Sequence, residues 1–188
     1  MSTQPPASAP EAAGDGRELA LRAALDRHER PLLRYALRLV GDPERARDVV
    51  QDTFLRLCDR APEVLGEPDH MAGWLYRTCR NRALDVRKKE NRMTTIDDMT
   101  LRGQPSAAPP PGHALERGEL LQSVLRSIDR LPEGQKEALR LRFEGQLSYK
   151  EIADVTGQSV ANVAFLIHVG MKSLRRKAAR LEIGGVHG

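Results

Sequence analysis

The sequence predicts an all-α protein: two small helical domains joined by a flexible Pro-rich linker. Three observations carry this expectation. Apolar residues recur at three- and four-residue steps through two blocks, no apolar/polar alternation is long enough for a strand, and proline and glycine cluster between the blocks. A length of 188 residues allows one ordinary domain or two small ones. With 40% hydrophobic and 30% charged residues, the composition is that of a water-soluble globular chain. No apolar run approaches the roughly 18 residues a membrane helix needs. The first twenty residues lack the basic start and apolar stretch of a signal peptide. Export and membrane insertion are therefore not expected. Cys58 and Cys79 sit in separate helical patterns, outside any CxxC or Cys/His cluster, and are expected as buried thiols in a reducing cytosol, with no metal site.

Punctuation sets the boundaries. Residues 1–17 hold Pro5, Pro6, Pro10, Gly14 and Gly16 without apolar periodicity and read as a disordered tail. Residues 18–92 form the first helical block. A linker over 93–113 carries Pro105 and the tandem Pro109, Pro110 and Pro111, which favour extended polyproline geometry. The second block spans 114–183, followed by a short tail at 184–188. Each block is near the size at which a single core is marginal.

In the first block, Leu21, Leu25, His28 and Leu32 are spaced as one helical stripe, and Pro31 marks a kink or restart. Gly41 ends that helix, Asp42 caps the next, and Pro43 suits its first position. Ala46, Val49, Val50, Thr53, Phe54 and Leu57 continue as one apolar stripe. A third helix starts near Asp69 and carries Met71, Trp74, Leu75, Thr78, Ala83 and Val86. Together these make a small bundle.

The second block opens with Leu121, Val124, Ile128 and Leu131 at helical spacing. Pro132 restarts the chain, and Ala138, Leu139 and Phe143 continue the pattern. Ser148 and Glu151 form a capping box, with Leu147 and Ile152 placed for a hydrophobic staple. Gly157 stops that helix within three turns. Ser159 caps a longer one whose stripe is Val160, Val163, Ile167, Leu174 and Leu181. Two helices across a tight glycine turn are the helix-turn-helix layout, though plain αα-hairpins share much of it.

The formal net charge is only +4, but its distribution is lopsided. Between Arg77 and Arg92 there are seven basic and two acidic residues; between Lys172 and Arg180 there are five basic and none acidic. Asp42 to Asp69 instead holds eight acids and four bases. Two basic stripes suit regularly spaced phosphates, whereas the acidic stretch repels DNA and suits a protein partner. From Ser159 to Met171 there is no charged residue at all.

The segments DPERARDVVQDTFLRL (42–57), WLYRTCRNRALDVRKK (74–89) and LPEGQKEALRLRFEGQLSYKEIADVTGQSVANV (131–163) resemble bacterial RNA polymerase sigma factors of the sigma-70 family, specifically the extracytoplasmic-function (ECF, group IV) type. The resemblance covers both blocks in order, with the linker between them. It implies a region 2 helical bundle and a region 4 helix-turn-helix. The implied partners are core RNA polymerase, promoter DNA (as duplex and as melted non-template strand) and an anti-sigma factor. It implies that Asp48, Gln51, Asp52 and Phe54 dock on the polymerase, although Phe54 also reads as core. It implies that Trp74, Arg77, Arg80, Asn81, Arg87 and Lys88 meet the proximal promoter element. A loop over Glu67 to Ala72 would pocket a flipped base. Arg80, Arg87 and Lys88 suit phosphates and Asn81 a base edge; Trp74 reads equally as core or stacking platform. Asp85 is expected to hold a neighbouring arginine.

For the distal element the resemblance implies Ser148, Ser159, Asn162, His168, Lys172, Arg175 and Arg176. The capping serines and the last three cations suit phosphates, and Asn162 and His168 suit base edges. Here the chain departs from the family, which commonly carries several Lys or Arg in the first half of this helix. Phe165, Leu166 and Val169 fall off the core stripe, and two readings stay open: apolar contact with thymine methyls, or a protein-docking face. Catalysis is not expected. The five histidines lie in separate segments, no HExxH spacing occurs, and no glycine-rich phosphate loop follows a strand. No cofactor is implied. The alternatives are a stand-alone helix-turn-helix regulator and a non-transcribing sigma-like adaptor that sequesters an anti-sigma protein.

Overall fold

The computed structural model describes the backbone of residues 10–60, 68–94, 128 and 130–184, and the side chains of 16–60, 70–90, 128 and 130–176. Among the described residues there are six helices and no strand: α1 Pro10–Val40, α2 Pro43–Asp59, α3 Pro68–Thr94, α4 Glu133–Phe143, α5 Tyr149–Thr156 and α6 Val160–Gly184. The chain divides into two compact units, Met1–Ala107 and Ala108–Gly188. Met93 and Thr94, expected in the linker, complete α3; the rest of the linker and the Leu121 and Val124 positions lie outside the described residues.

In unit 1 each of α1, α2 and α3 packs on the other two. The α1–α2 corner follows its punctuation. Gly41 takes a left-handed φ of 76°, its N–H donates to the Leu37 carbonyl, and Asp42 accepts from the Arg45 N–H at 2.9 Å. Pro43 opens α2, where its missing N–H costs nothing. The α2 stripe Ala46, Val49, Val50, Thr53, Phe54 and Leu57 is buried as expected. From α3 come Leu75, Tyr76, Cys79 and Ala83, and Tyr76 meets Tyr35 of α1 edge-to-face at 5.2 Å. Thr53 satisfies its buried hydroxyl by donating to the Val49 carbonyl at 2.7 Å.

Three expectations for unit 1 need correcting. First, α1 begins at Pro10 and continues unbroken through Pro31. Gly14 and Gly16 each cost only about 1 kcal/mol in a helix, and the Arg17 guanidinium ties this end down by donating to the Cys58 carbonyl at the end of α2. The roughly 3 kcal/mol cost of an internal proline is offset by burial on both sides of it, at Ala24, His28, Leu32, Tyr35 and Ala36. Second, that buried stripe is turned from the expected one. Ala24 is buried, whereas Leu25 is 39% exposed. Third, Cys58 is exposed while Cys79 is buried, because Cys58 follows the fully buried Leu57 by about 100° of helix rotation. Burial raises the Cys79 thiol to about 12, only partly countered by Thr53.

In unit 2, α4, α5 and α6 pack on one another around Leu139, Leu141, Leu147, Ile152, Val155, Val163 and Ile167. Pro132 caps α4. Leu141, and not Phe143, supplies the inward residue at the end of α4; Phe143 is 60% exposed. Between α4 and α5, Gln146 holds a φ of 57°. Arg142 steadies this loop: it donates to the Leu147 carbonyl at 2.8 Å and stacks over the Tyr149 ring at 5.7 Å. The capping box at Ser148 and Glu151 is complete, and the staple residues Leu147 and Ile152 are fully buried. Gly157 ends α5 in the left-handed region at φ 71°, and the Gly157 and Gln158 N–H groups both donate to the Ala153 carbonyl. The chain then bends by 105° into α6, within the range of helix-turn-helix units. The α6 stripe starts later than expected, since Val160 is 48% exposed and Val163 is the first inward residue.

Gly170 is an unforeseen part of this core. A Cβ there would come within 2.8 Å of Leu139 Cδ1, so α4 and α6 approach through the missing side chain. Gly170→Val should lower unfolding free energy by about 1–3 kcal/mol in urea melts. Gly170→Ala should cost less, because alanine recovers about 1 kcal/mol of helix propensity.

His28 carries a pH signature. Burial first, and then the Arg27 charge, hold its imidazole below the ordinary 6.5. Between the lowered folded value and 6.5 the unfolded chain binds more protons, so stability rises with pH there. The contribution is complete above about pH 6.5 and is lost as pH falls toward the folded value. Melting temperatures followed downward from about pH 7.5 should therefore fall more steeply for the wild type than for His28→Leu. Parallel curves would refute this account.

Candidate nucleic-acid interface

Burying one stripe of each helix leaves the opposite stripe to solvent, and the candidate residues divide between these faces. On α2, Asp48 and Gln51 are exposed, but Phe54 is only 8% exposed and belongs to the core. Its neighbour Leu55 is 55% exposed and follows Asp48 and Gln51 at three- and four-residue steps, so the three share one face. Sequence reasoning missed Leu55; only its displacement by one residue from the buried stripe signals it. Asp52 is half-exposed, and its carboxylate accepts from Arg82 Nε of α3 at 2.6 Å. Arg45 and Glu90 form a second ion pair between these helices.

On α3, at about 100° per residue, Trp74, Arg77, Asn81 and Lys88 fall within an arc of about 60°. Arg77, Asn81 and Lys88 are exposed and Trp74 is half-buried. Arg80, half-buried, and Arg87, exposed, lie on one flank of this arc. The helix thus presents an amide, four cations and an indole on one connected surface. Such a surface suits a nucleic acid strand, with cations for phosphates and flat or amide groups for bases. Trp74 also lines a surface hollow of about 390 Å³ with Arg56, Asp59, Arg60 and Thr78, so the end of α2 adds two arginines that sequence reasoning did not include. Two expectations fail. Asp85 is exposed, and no ion pair reaches it among the described residues; Asp52 holds Arg82 instead, because α2 packs against that side of α3. Residues 68–72 form the first turn of α3 and not a loop, since Pro68 is well suited to a helix start; Glu67 lies outside the described residues.

In unit 2 the two capping serines occupy helix starts. Ser148 accepts from the Glu151 N–H at 3.3 Å and donates from its hydroxyl to the Glu151 carboxylate at 2.6 Å. Ser159 accepts from the Asn162 N–H at 3.2 Å, and Asn162 Nδ2 donates to Gln158 Oε1 at 2.9 Å. Asn162, His168, Lys172, Arg175 and Arg176 are all exposed. Phe165 joins them on the outward face at 62% exposure, while Leu166 lies close over Gly134 of α4. Among the described residues no group of three or more His, Cys, Asp or Glu is gathered to hold a metal ion, and no single helix is long and apolar enough to cross a membrane.

Comparison with known proteins decides what kind of chain this is. Residues 24–93 match the family model Sigma-70 region 2, and residues 121–174 match Sigma-70, region 4. The ECF RNA polymerase sigma factor SigL of Mycobacterium tuberculosis is 30% identical over 156 residues, covering 82% of this chain and 86% of that protein. The chain belongs to the ECF sigma factors. SigM of Bacillus subtilis, also an ECF RNA polymerase sigma factor, is 30% identical over 155 residues, covering 79% of this chain and 91% of that protein. Among solved structures, the sigma factor RpoE of Bartonella quintana, crystallised with the anti-sigma factor NepR, has the same fold. It matches with a TM-score of 0.56 at 20% identity, over 89% of this chain and 96% of that one. In this sigma factor, region 2 takes in most of α1 with α2 and nearly all of α3, and region 4 takes in α4, α5 and the first half of α6. Sigma factors are not enzymes. Arg175 and Arg176 lie just past the region 4 match.

The Asp52–Arg82 pair links the acidic helix of region 2 to its basic one. Each side chain is 38% exposed, so solvent screens the pair. A double-mutant cycle on Asp52 and Arg82 should return a coupling of about 0.2–1 kcal/mol, and a markedly larger value would show that the pair organises region 2.

Proposed function

We propose that this chain joins core RNA polymerase in the cytoplasm, directs it to promoters and holds the melted non-template strand near the start site. It does so without catalysis or a cofactor of its own. The single observation that carries the reading is the pairing, within region 2, of two outward faces of opposite character on adjacent helices. One is the acidic α2 face with Asp48, Gln51 and Leu55; the other is the cationic α3 face with Arg77, Asn81 and Lys88.

The first face repels DNA and suits a basic protein surface, with Leu55 as an apolar anchor inside a ring of polar groups. The second attracts a phosphate backbone. A module that grips protein on one side and nucleic acid on the other can couple polymerase binding to strand capture. Phe54 acts from the core by holding α2 in place, and Asp52 acts partly through Arg82. Arg80, Arg87 and Lys88 contact phosphates, Asn81 reads a base edge, and Trp74 offers a flat surface beside the hollow. Region 4 adds the distal element. Ser148 and Ser159 hold helix starts against the backbone, Asn162 and His168 face bases, and Lys172, Arg175 and Arg176 grip phosphates. An anti-sigma protein is a further partner, a reading supported by the fold shared with the NepR-bound RpoE. The domain limits that fit this division are 18–92 and 114–183.

The test separates the two faces. With purified chain and core polymerase, Leu55→Lys should weaken assembly by at least about tenfold, a loss of about 1.4 kcal/mol. Asn81→Ala should leave assembly unchanged and reduce open-complex yield, read by permanganate reactivity of unpaired thymines. If the wild-type chain neither assembles with core polymerase nor supports run-off transcription, the reading is wrong. A chain that binds duplex DNA tightly by itself would instead be a stand-alone regulator.

A further inference from the structure

The outward face of α6 is apolar at one end and cationic at the other. At about 100° per residue, Ala161, Phe165, His168, Lys172, Arg175 and Arg176 fall within an arc of about 100°, and all six are exposed. The inward arc holds Val163, Ile167 and Gly170. No charged residue occurs from Ser159 to Met171, whereas Lys172 to Arg180 holds five cations and no acid. Phe165 therefore stands 62% exposed in a stretch with no cation to hold a phosphate.

The second helix of a helix-turn-helix enters the major groove by its N-terminal turns. Polar readout in this part of α6 is thin. Asn162 already donates to Gln158, and His168 is the next polar side chain along. The one apolar group that base edges offer in the major groove is the C5-methyl of thymine. Seven residues separate Phe165 from Lys172, about 10 Å along the axis, comparable with the roughly 12 Å width of the groove. A ring set on the groove floor would thus leave Lys172, Arg175 and Arg176 at the phosphate rim.

We infer that Phe165 is a specificity-determining residue that reads thymine methyls in the distal promoter element, while Lys172, Arg175 and Arg176 supply sequence-independent grip. The inference rests on the promoter-binding function proposed above. The cationic end of the same face selects the occupant: the three positive charges of Lys172, Arg175 and Arg176 favour a polyanionic duplex over another apolar protein surface.

The experiment uses polymerase holoenzyme assembled with this chain and random-sequence duplex pools made with either thymidine or deoxyuridine, which pairs identically but lacks the methyl. Wild-type holoenzyme should enrich thymine-bearing distal elements from the first pool. Enrichment from the second should fall roughly fourfold per methyl contacted, at about 0.8 kcal/mol per buried carbon. Phe165→Ala, a change at an exposed position, should erase the difference between pools. Arg175→Ala should weaken capture from both pools alike and lower the salt slope by about one. Equal enrichment from the two pools, or a thymidine preference that survives Phe165→Ala, overturns the inference. If wild-type holoenzyme recovers no duplex from either pool, the promoter-binding function itself fails, and this inference with it.

Discussion

A three-helix unit can bury only one stripe of each helix, and this limit organises the molecule. In region 2, Leu32, Leu57, Leu75 and Tyr76 are buried to 2% exposure or less, and each such side chain contributes about 1.5–3 kcal/mol. A core this small has no redundancy. It spends its apolar residues inward, and whatever chemistry the outward faces carry is left free to vary. The groups proposed to meet partners are therefore on the complement of the buried stripe: Asp48, Gln51 and Leu55 on α2, Arg77 and Asn81 on α3, Phe165 and His168 on α6.

Where local chemistry acts alone, the fold was legible before any coordinates. Gly41, Asp42 and Pro43 each have one suited role at a helix junction, and each occupies it. Ser148 and Glu151 close a capping box, and Gly157 turns left-handed after it. The misses came where tertiary packing outweighs local preference. Pro31 and the two glycines before Arg17 argue locally for breaks, yet flanking burial and the Arg17 contact keep α1 one continuous helix. At stripe edges periodicity alone is ambiguous by one residue or more. Ala24 and Leu141 went inward while Leu25, Phe143 and Val160 stayed out, because a helix rolls until its neighbours' surfaces fit, and the largest side chain does not always face the core.

The same one-residue ambiguity decided what could be read of the functional faces. Phe54 and Leu55 are adjacent and both apolar, and the sequence supplies no reason to send one inward; the packing of α2 against α1 and α3 does. Charged positions were easier, because a lysine or arginine finds its way to solvent regardless of small rotations. What charge could not show was pairing. Arg82 and Asp52 are thirty residues apart and meet only because α2 and α3 lie side by side. Asp85, on the same helix as Arg82, makes no ion pair among the described residues.

Burial also explains why the departure in α6 carries more information than the matches elsewhere. An inward position must be apolar whatever the protein does, so Val163 and Ile167 say little about function. A phenylalanine left 62% exposed buries only the smaller part of its surface, so packing accounts for little of Phe165. The absence of cations around it sharpens the point, since a basic residue there would be stable, soluble and attracted to phosphate. On the proposed reading, the cations at the far end of α6 keep the general attraction, so its first turns are left for contacts that depend on which base is present.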